Sequence, residues 1–167
     1  MRIIGIDPGI AIVGFGIVDY IAGKVKPVQY GSIETPAHTD PGLRLQMVYD
    51  SLVGLIEKYK PEHMAVEKLF FNRNVTTAFT VGQARGVMIL AGVQKQLVIG
   101  EYTPLQVKQA IVGYGKAEKR QVQEMVRMFL NLREVPKPDD VADALAVAIC
   151  HAHSAVLDRQ IKERIKP

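Results

Sequence analysis

Four acidic residues occupy places where the surrounding hydrophobic pattern favours apolar side chains. Asp7 and Glu67 each end a short apolar segment that is typical of a buried strand. Asp140 and Asp143 lie three residues apart in an alanine-rich helical segment, so they share one helix face. A buried carboxylate is costly unless it has a cation, a hydrogen-bonded partner or access to water. We therefore expect the four carboxylates to share a site with positive charge.

An all-oxygen donor set of this kind suits Mg²⁺ or Mn²⁺. Two ions about 3.5–4 Å apart would clamp a phosphodiester for in-line displacement, activating the attacking water and stabilising the leaving 3′ oxygen. The sequence offers no rival nucleophile, because Cys150 lies within a predicted helix and no Ser or His lies in a nucleophile motif. The predicted chemistry is phosphodiester hydrolysis with two Mg²⁺ ions per site, for which Mn²⁺ can substitute.

A purely structural role would explain most of these acids. Asp7 begins an Asp-Pro-Gly turn, and Glu67 could stand at an exposed strand end. Asp139 or Asp140 could cap the last helix and favour its dipole. Asp143 lies deeper, between two alanines, and capping does not explain it.

The basic residues are concentrated in one part of the chain. Residues 104–137 contain seven basic and three acidic side chains, so the net charge of this segment equals the +4 of the whole chain. A local basic surface suits a polyanion, because each neutralised phosphate releases counterions. The alternative is a set of solvated helix faces.

Length and composition exclude several classes of protein. The chain has 167 residues, 48% of them hydrophobic, which is enough for one core but too short for a two-lobed kinase. No apolar run approaches the roughly 20 residues that span a bilayer, and Asp7 comes too early for a signal peptide. A single cysteine excludes an internal disulfide. We expect a soluble cytoplasmic protein with one domain over residues 1–158 and a basic tail over 159–167.

Hydrophobic periodicity predicts five strands and five helices. The predicted strands cover 2–6, 14–20, 24–34, 63–67 and 97–102, and the helices cover the segment between Pro41 and Pro61, 74–96, 104–112, 116–130 and 139–159. Three consecutive strands favour an antiparallel meander, and the strand–helix–strand that follows favours right-handed parallel crossovers. The predicted architecture is α/β, a five-stranded mixed sheet flanked by helices on both faces. If the strands that end in Asp7 and Glu67 are neighbours, both acids emerge at one edge of the sheet.

Six motifs occur in an order and spacing that resemble the RuvC family of bacterial Holliday junction resolvases. They are Gly5-Ile6-Asp7-Pro8-Gly9, Val66-Glu67, Gly82-Gln83-Ala84-Arg85-Gly86, Val107-Lys108-Gln109, Ala117-Glu118-Lys119 and the segment from Asp140 to Ala146. The resemblance covers residues 2 to about 153. It implies a ribonuclease H-like fold and a homodimer that nicks two strands of a four-way DNA junction symmetrically, with Mg²⁺, in homologous recombination and DNA repair. It further implies cuts that leave a 5′-phosphate and a 3′-hydroxyl, and cooperation with the branch-migration helicase complex RuvA–RuvB.

The resemblance also assigns roles to single residues. Asp7, Glu67, Asp140 and Asp143 match the catalytic, metal-binding acids of the family. Phe70 matches a phenylalanine that disrupts base stacking at the junction centre.

Further residues are candidates for contacts with DNA. Phe71 follows Phe70 in an extended segment, and neighbouring residues there face opposite ways, so one ring is hard to bury. The alternative places these rings in the core or in a subunit interface. Lys108 and Lys119 match lysines that contact backbone phosphates, and Arg73 and Arg85 are further candidate DNA contacts.

Two other functions fit parts of the sequence. One is a different ribonuclease H-like nuclease acting on RNA or RNA–DNA hybrids, although the sequence has no clear signature for reading 2′-hydroxyls. The other is a non-catalytic junction-binding module, which leaves Asp143 unexplained. Gly82 and Gly86 lie four residues apart on one helix face, and we expect them to permit close helix packing, within the subunit or between subunits.

Overall fold

The structure of the protein is a computed structural model. It describes the backbone of residues 1–68 and 75–165 and the side chains of residues 1–68 and 78–155. The described residues form five strands and five helices. The strands are β1 (Arg2–Asp7), β2 (Ile12–Ile21), β3 (Lys24–Glu34), β4 (His63–Glu67) and β5 (Val98–Tyr102). The helices are α1 (Pro41–Tyr59), α2 (Val75–Gln94), α3 (Pro104–Val112), α4 (Lys119–Phe129) and α5 (Asp139–Ile165).

The strands form one mixed sheet in the order β3-β2-β1-β4-β5. The three N-terminal strands pair antiparallel, and β4 pairs parallel with both β1 and β5. Ile6 pairs with Val66 in the β1–β4 ladder, so the next residues, Asp7 and Glu67, lie side by side at the carboxyl ends of neighbouring strands. The meander and the adjacency of the two acid-bearing strands are confirmed.

Helices cover both faces of the sheet, as predicted. On one face, Ile4, Ile6 and Met64 pack with Leu52 of α1 and Met88 of α2. On the other face, α3, α4 and α5 pack against strand side chains that point the opposite way, among them Ile3, Val18 and Ala65. Successive side chains of a strand point to opposite faces, so each strand contributes to both cores.

Helix α5 lies directly on β1 and β2 because glycines occupy the strand positions beneath it. A Cβ atom at Gly14 would stand 1.9 Å from the carbonyl oxygen of Asp140, and one at Gly5 would stand 2.1 Å from that of Ala144. Real Cβ atoms do not approach other atoms so closely, so any other residue would push the helix away. The glycines therefore set the depth at which α5 sits.

Two element boundaries differ from those predicted by three residues or more. Helix α4 begins at Lys119 rather than 116, because Glu118 and Gln121 form a capping box at its start. Helix α5 continues to Ile165, where we had expected a basic tail from residue 159, because no glycine or proline interrupts residues 139–165. In the described part of the chain, no helix is long and apolar enough to cross a membrane.

Candidate active site

The two central parallel strands deliver Asp7 and Glu67 to the same side of the sheet. Ile6 and Val66, the residues before them, are buried on the face that α1 and α2 cover. Because side chains alternate along a strand, Asp7 and Glu67 emerge on the opposite face, which α5 covers. The β1–β4 ladder thus places two carboxylates at one sheet edge, under one helix.

The first turns of α5 bring the other two acids to this edge. Asp7 pairs with Gly14 in the β1–β2 ladder, and the carbonyl of Asp140 passes directly over Gly14. Asp143 follows one turn later and is flanked by the fully buried Ala142 and Ala144. Residues more than 130 positions apart in the sequence therefore meet at the carboxyl ends of β1 and β4.

Burial and mutual repulsion act strongly on Asp7. Its pKa is raised to about 8, first by burial and then by the nearby charges of Asp143, Glu67 and Asp140, while Lys119 opposes the rise. Each of the other three acids therefore lies close enough to act on this carboxylate. Among the described residues, the charge of Lys119 offsets only part of this destabilisation of the charged form, which is the situation that a bound cation relieves.

Glu67 and Asp143 are less perturbed than Asp7 because lysines lie beside them. Burial raises the pKa of both carboxyls, and Asp143 further raises that of Glu67. Lys108 and Lys119 lower the pKa of Glu67, and Lys119 lowers that of Asp143. The lysines of the basic segment thus reach into the acidic cluster.

Lys119 bridges two acids of α5. Its Nζ atom lies 3.1 Å from Asp143 Oδ2 and 3.3 Å from Asp139 Oδ2. The sequence suggested only helix capping for Asp139, so this contact was missed. A sign of it was available, because Asp139 and Asp143 are four residues apart and lie on one helix face.

An open pocket of about 230 Å³ lies next to the acids. Glu67 and Asp143 line one side of it, and Lys108 and Lys119 line another. The remaining wall is largely apolar and comes from α3, α4 and α5; it consists of Pro104, Val107, Val122 and Ala146. Carboxylates beside ammonium groups can bind a cation and a phosphate at adjacent points.

The donor chemistry of the cluster fits a hard divalent cation, although the side chains as placed do not enclose one. Within the described residues, no three Asp, Glu, His or Cys side chains are arranged to hold a metal ion. Asp143 instead faces Lys119. The all-oxygen donor set and the burial of Asp7 fit such an ion once Lys119 turns away from Asp143, and the direction of an exposed lysine is easily changed.

The other predicted DNA contacts fall into two groups. Phe70, Phe71 and Arg73 lie outside the described residues. Arg85 is described and points inward, where it donates a hydrogen bond from Nε to the backbone carbonyl of Glu67 at 3.2 Å and forms an ion pair with Glu101.

A buried polar group in the middle of α5 has no predicted role in the sequence. His151 is 4% exposed, and its Nε2 lies 2.9 Å from His63 Nδ1. Its Nδ1 lies 2.8 Å from the hydroxyl of Tyr102. Gly100 leaves room for this ring, since a Cβ atom there would stand 2.3 Å from His151 Nδ1.

This fold and site define the class of the protein. A mixed five-stranded sheet, with acids at the ends of two central strands and on a helix that crosses them, is the ribonuclease H-like arrangement expected from the motifs. The family model described as crossover junction endodeoxyribonuclease RuvC matches residues 3–151. The chain belongs to the RuvC family.

Individual relatives agree with this assignment. The crossover junction endodeoxyribonuclease RuvC of Brevibacillus brevis is 62% identical, over 91% of this chain and 92% of the relative. The structure of Thermus thermophilus RuvC in complex with Holliday junction substrate matches with a TM-score of 0.90 and 36% identity, over 95% of this chain and 96% of that chain. The yeast mitochondrial Holliday junction resolvase Ydc2, at 14% identity and a TM-score of 0.69, shares the fold over 99% of this chain and 86% of its own.

Proposed function

We infer that this protein is a structure-selective endonuclease that resolves Holliday junctions in homologous recombination and DNA repair. The observation that carries the inference is the convergence of Asp7, Glu67, Asp140 and Asp143 at one sheet edge in a member of the RuvC family. A related structure of this family is a complex with Holliday junction substrate. No observation favours a hybrid-specific nuclease or a non-catalytic binding module.

Divalent metal is the proposed cofactor of the site. Asp7, Glu67, Asp140 and Asp143 would hold Mg²⁺, two ions per site, and Mn²⁺ would fit the same oxygen donors. The ions would lower the pKa of water and neutralise charge on the scissile phosphate. The hydrolysis would leave a 5′-phosphate and a 3′-hydroxyl.

Other residues of the chain would position the carboxylates and contact the DNA. The buried floor of Ile6, Val66 and α5 keeps the carboxylates in fixed positions. Lys108 and Lys119 stand at the pocket, where an ammonium group can contact the phosphate on either side of the scissile bond. Lys119 would then exchange its contacts with Asp139 and Asp143 for a DNA phosphate when metal binds Asp143. Phe70, Phe71 and Arg73 remain predicted junction contacts.

A homodimer is supported by an apolar stripe on the outer side of α2. Phe79, Leu90 and Val93 are 68%, 51% and 56% exposed and follow helical spacing. Gly86 lies between them, and a Cβ atom there would meet nothing within 4 Å, so the glycine leaves room for a second helix rather than for a neighbour in the same chain. A two-fold dimer would present two acidic sites, which paired cuts in a symmetric junction require.

Two further proposals rest on the family alone. The dimer would cooperate with a RuvA–RuvB branch-migration helicase complex. Because its substrate would be chromosomal DNA, the protein would act in the bacterial cytoplasm.

Incubation with a synthetic four-way junction tests the proposed function. We expect paired nicks with Mg²⁺, fewer or none with EDTA, and none in a linear duplex or an RNA–DNA hybrid of the same sequence. Cleavage of the hybrid in preference to the junction would identify the alternative nuclease. Binding of the junction with no cleavage in Mg²⁺ or Mn²⁺ would identify a non-catalytic module.

A further inference from the structure

Arg85 is half-buried, and its guanidinium contacts the sheet. Only 17% of its side chain is exposed. Ala84 and Met88, which lie one residue before and three residues after it on α2, are fully buried. An arginine that contacts phosphates needs its guanidinium free, whereas this one is committed to two partners in the sheet.

The first partner is the peptide unit that follows Glu67. The carbonyl of Glu67 accepts a hydrogen bond from Arg85 Nε at 3.2 Å. The N–H at the other end of the same unit, on Lys68, donates to the carbonyl of Tyr102 at 2.7 Å. Because a peptide unit is planar, holding both ends fixes its orientation, and with it the backbone direction at Glu67.

The second partner is Glu101, which accepts a charge-assisted hydrogen bond from Arg85 Nη2. Glu101 pairs with Val66 in the β4–β5 ladder, so it is anchored beside the strand that carries Glu67. An arginine with so little exposure requires a matching charge. With Glu101 in place, Arg85 adds no net charge to the surface.

Arg85 acts on Glu67 through the backbone and from the opposite face of the sheet. The side chain of Glu67 emerges on the α5 face, whereas Arg85 approaches from α2. Arg85 therefore affects the orientation of the Glu67 side chain rather than its charge.

We propose that Arg85, held by Glu101, is a positioning residue that aims the Glu67 carboxylate into the active site, and that it is not a DNA contact. This rests on the proposed function, in which Glu67 holds metal. It gives the arginine of the Gly82-Gln83-Ala84-Arg85-Gly86 motif a role in the reaction.

The test compares Arg85→Gln, Arg85→Lys, Glu101→Gln and the Arg85→Gln/Glu101→Gln double variant with the full-length wild type. The matched control is Lys95→Gln, which breaks an ion pair with Glu57 (2.6 Å) at the far end of α2. Three quantities are measured: the single-turnover nicking rate at saturating protein, the junction Kd across a salt series, and the rise in Tm on adding Mg²⁺.

We expect Arg85→Gln to lower the nicking rate about 10–100-fold, the usual effect of removing a group that orients a metal ligand. The rise in Tm with Mg²⁺ should shrink as well, while the junction Kd and its salt dependence stay within twofold. Glu101→Gln should act in the same direction, and the double variant should be no worse than Arg85→Gln. Arg85→Lys should also lose rate, because one ammonium cannot donate along both directions of the guanidinium. Lys95→Gln should match the wild type.

Three results would overturn the proposal. A raised Kd with a flatter salt dependence, rescued by Arg85→Lys, would make Arg85 a DNA contact. A nicking rate and a Mg²⁺ response that match the wild type would remove any role. A drop in Tm in EDTA without a smaller Mg²⁺ response would leave a structural role alone. If the wild type itself fails to nick the junction, the proposed function fails, and the Mg²⁺-dependent Tm still decides whether Arg85 positions Glu67.

Discussion

The two faces of the central sheet are made by the same strands and serve different purposes. On the α1/α2 face, β1 and β2 present large side chains, among them Ile4, Ile6 and Phe15. On the α5 face, the intervening positions include Gly5 and Gly14, and the helix backbone occupies the space of the absent side chains.

The difference shows how the site is brought together. Large apolar residues keep α1 and α2 at a distance that a thick core fills, which is the usual source of stability. The glycines instead let α5 approach the sheet until the backbone of Asp140 lies over Gly14, which is the residue that pairs with Asp7 in the β1–β2 ladder. Both faces bury apolar side chains, and the α5 face in addition accepts the cost of crowded carboxylates at the carboxyl ends of β1 and β4.

The largest effect should come from an acid on the α5 face. Asp7→Asn should reduce junction nicking in Mg²⁺ by about 10³-fold or more, because it removes a carboxylate that holds the metal. Junction affinity in Ca²⁺ should change little, since the basic residues bind the DNA. The control is Asp50→Asn, an exposed acid of α1 on the other face, which should nick at the wild-type rate. Wild-type activity in Asp7→Asn would refute the assignment of Asp7.

The apolar stripe on the outer side of α2 should govern self-association. Leu90→Lys places a charge in the centre of the proposed dimer contact and should convert the dimer to a monomer at micromolar concentration, as measured by analytical ultracentrifugation. Met128→Lys, at a comparably exposed apolar residue of α4 (62%), is the control. Equal dimerisation of Leu90→Lys and the wild type would place the subunit contact elsewhere.

Glycines beneath α5 should tolerate substitution far less well than glycines elsewhere. Gly14→Ala should lower the free energy of unfolding by about 1–3 kcal/mol, the usual cost of overpacking. Nicking should fall further than the lost stability explains, because the helix that carries Asp140 and Asp143 must move. The control is Gly54→Ala in α1, where a Cβ would meet nothing within 4 Å and a gain of up to about 1 kcal/mol is expected. Denaturant unfolding and nicking rates check both.

The crowding of carboxylates predicts a pH-dependent stability cost. The raised pKa of Asp7, about 8, means that the folded protein keeps a proton that the unfolded chain releases above its ordinary pKa of 3.8. Stability therefore falls as the pH rises from about 4 to about 8. In EDTA, Asp7→Asn should raise Tm by about 4 °C or more at pH 8.5 and by less at pH 5, since 1 kcal/mol corresponds to about 2–4 °C in a chain of this size. An equal gain at both pH values would contradict the burial of an uncompensated charge.

The smallest effect concerns the lysines at the pocket. Lys108→Ala with Lys119→Ala should weaken junction binding and lower the slope of log K against log salt by about 2, because two phosphate contacts are lost. Lys24→Ala with Lys26→Ala removes the same charge from the edge strand β3, and it should leave the slope unchanged. Equal slopes in the two double variants would exclude direct phosphate contacts.

The elements and the acids could be predicted because their signals are local. Alternating and helical apolar spacings predicted all five strands and five helices, and the order of the strands predicted the mixed sheet. Asp143 stood out because a carboxylate between alanines has no role in capping a helix. The predicted end of the last helix near residue 159 was wrong, since nothing in the local pattern marked a stop before Ile165.

The directions of the charged side chains could not be predicted in the same way. Arg85 matched a motif and was expected at the DNA, yet packing turns it toward Glu67 and Glu101. Lys119 was expected to contact phosphate, and in the structure its ammonium pairs with Asp139 and Asp143. A long side chain can reach in several directions from one backbone position, so its partners depend on which elements fold against it.

The sequence by itself determined which residues carry charge, where strands and helices form, and which two strands end in an acid. Only the tertiary structure decided that Gly5 and Gly14 admit α5 to the sheet surface, and that the four carboxylates crowd closely enough to raise the pKa of Asp7. The physical reason is that periodicity depends on neighbours along the chain, whereas contact distance and burial depend on residues more than 100 positions away.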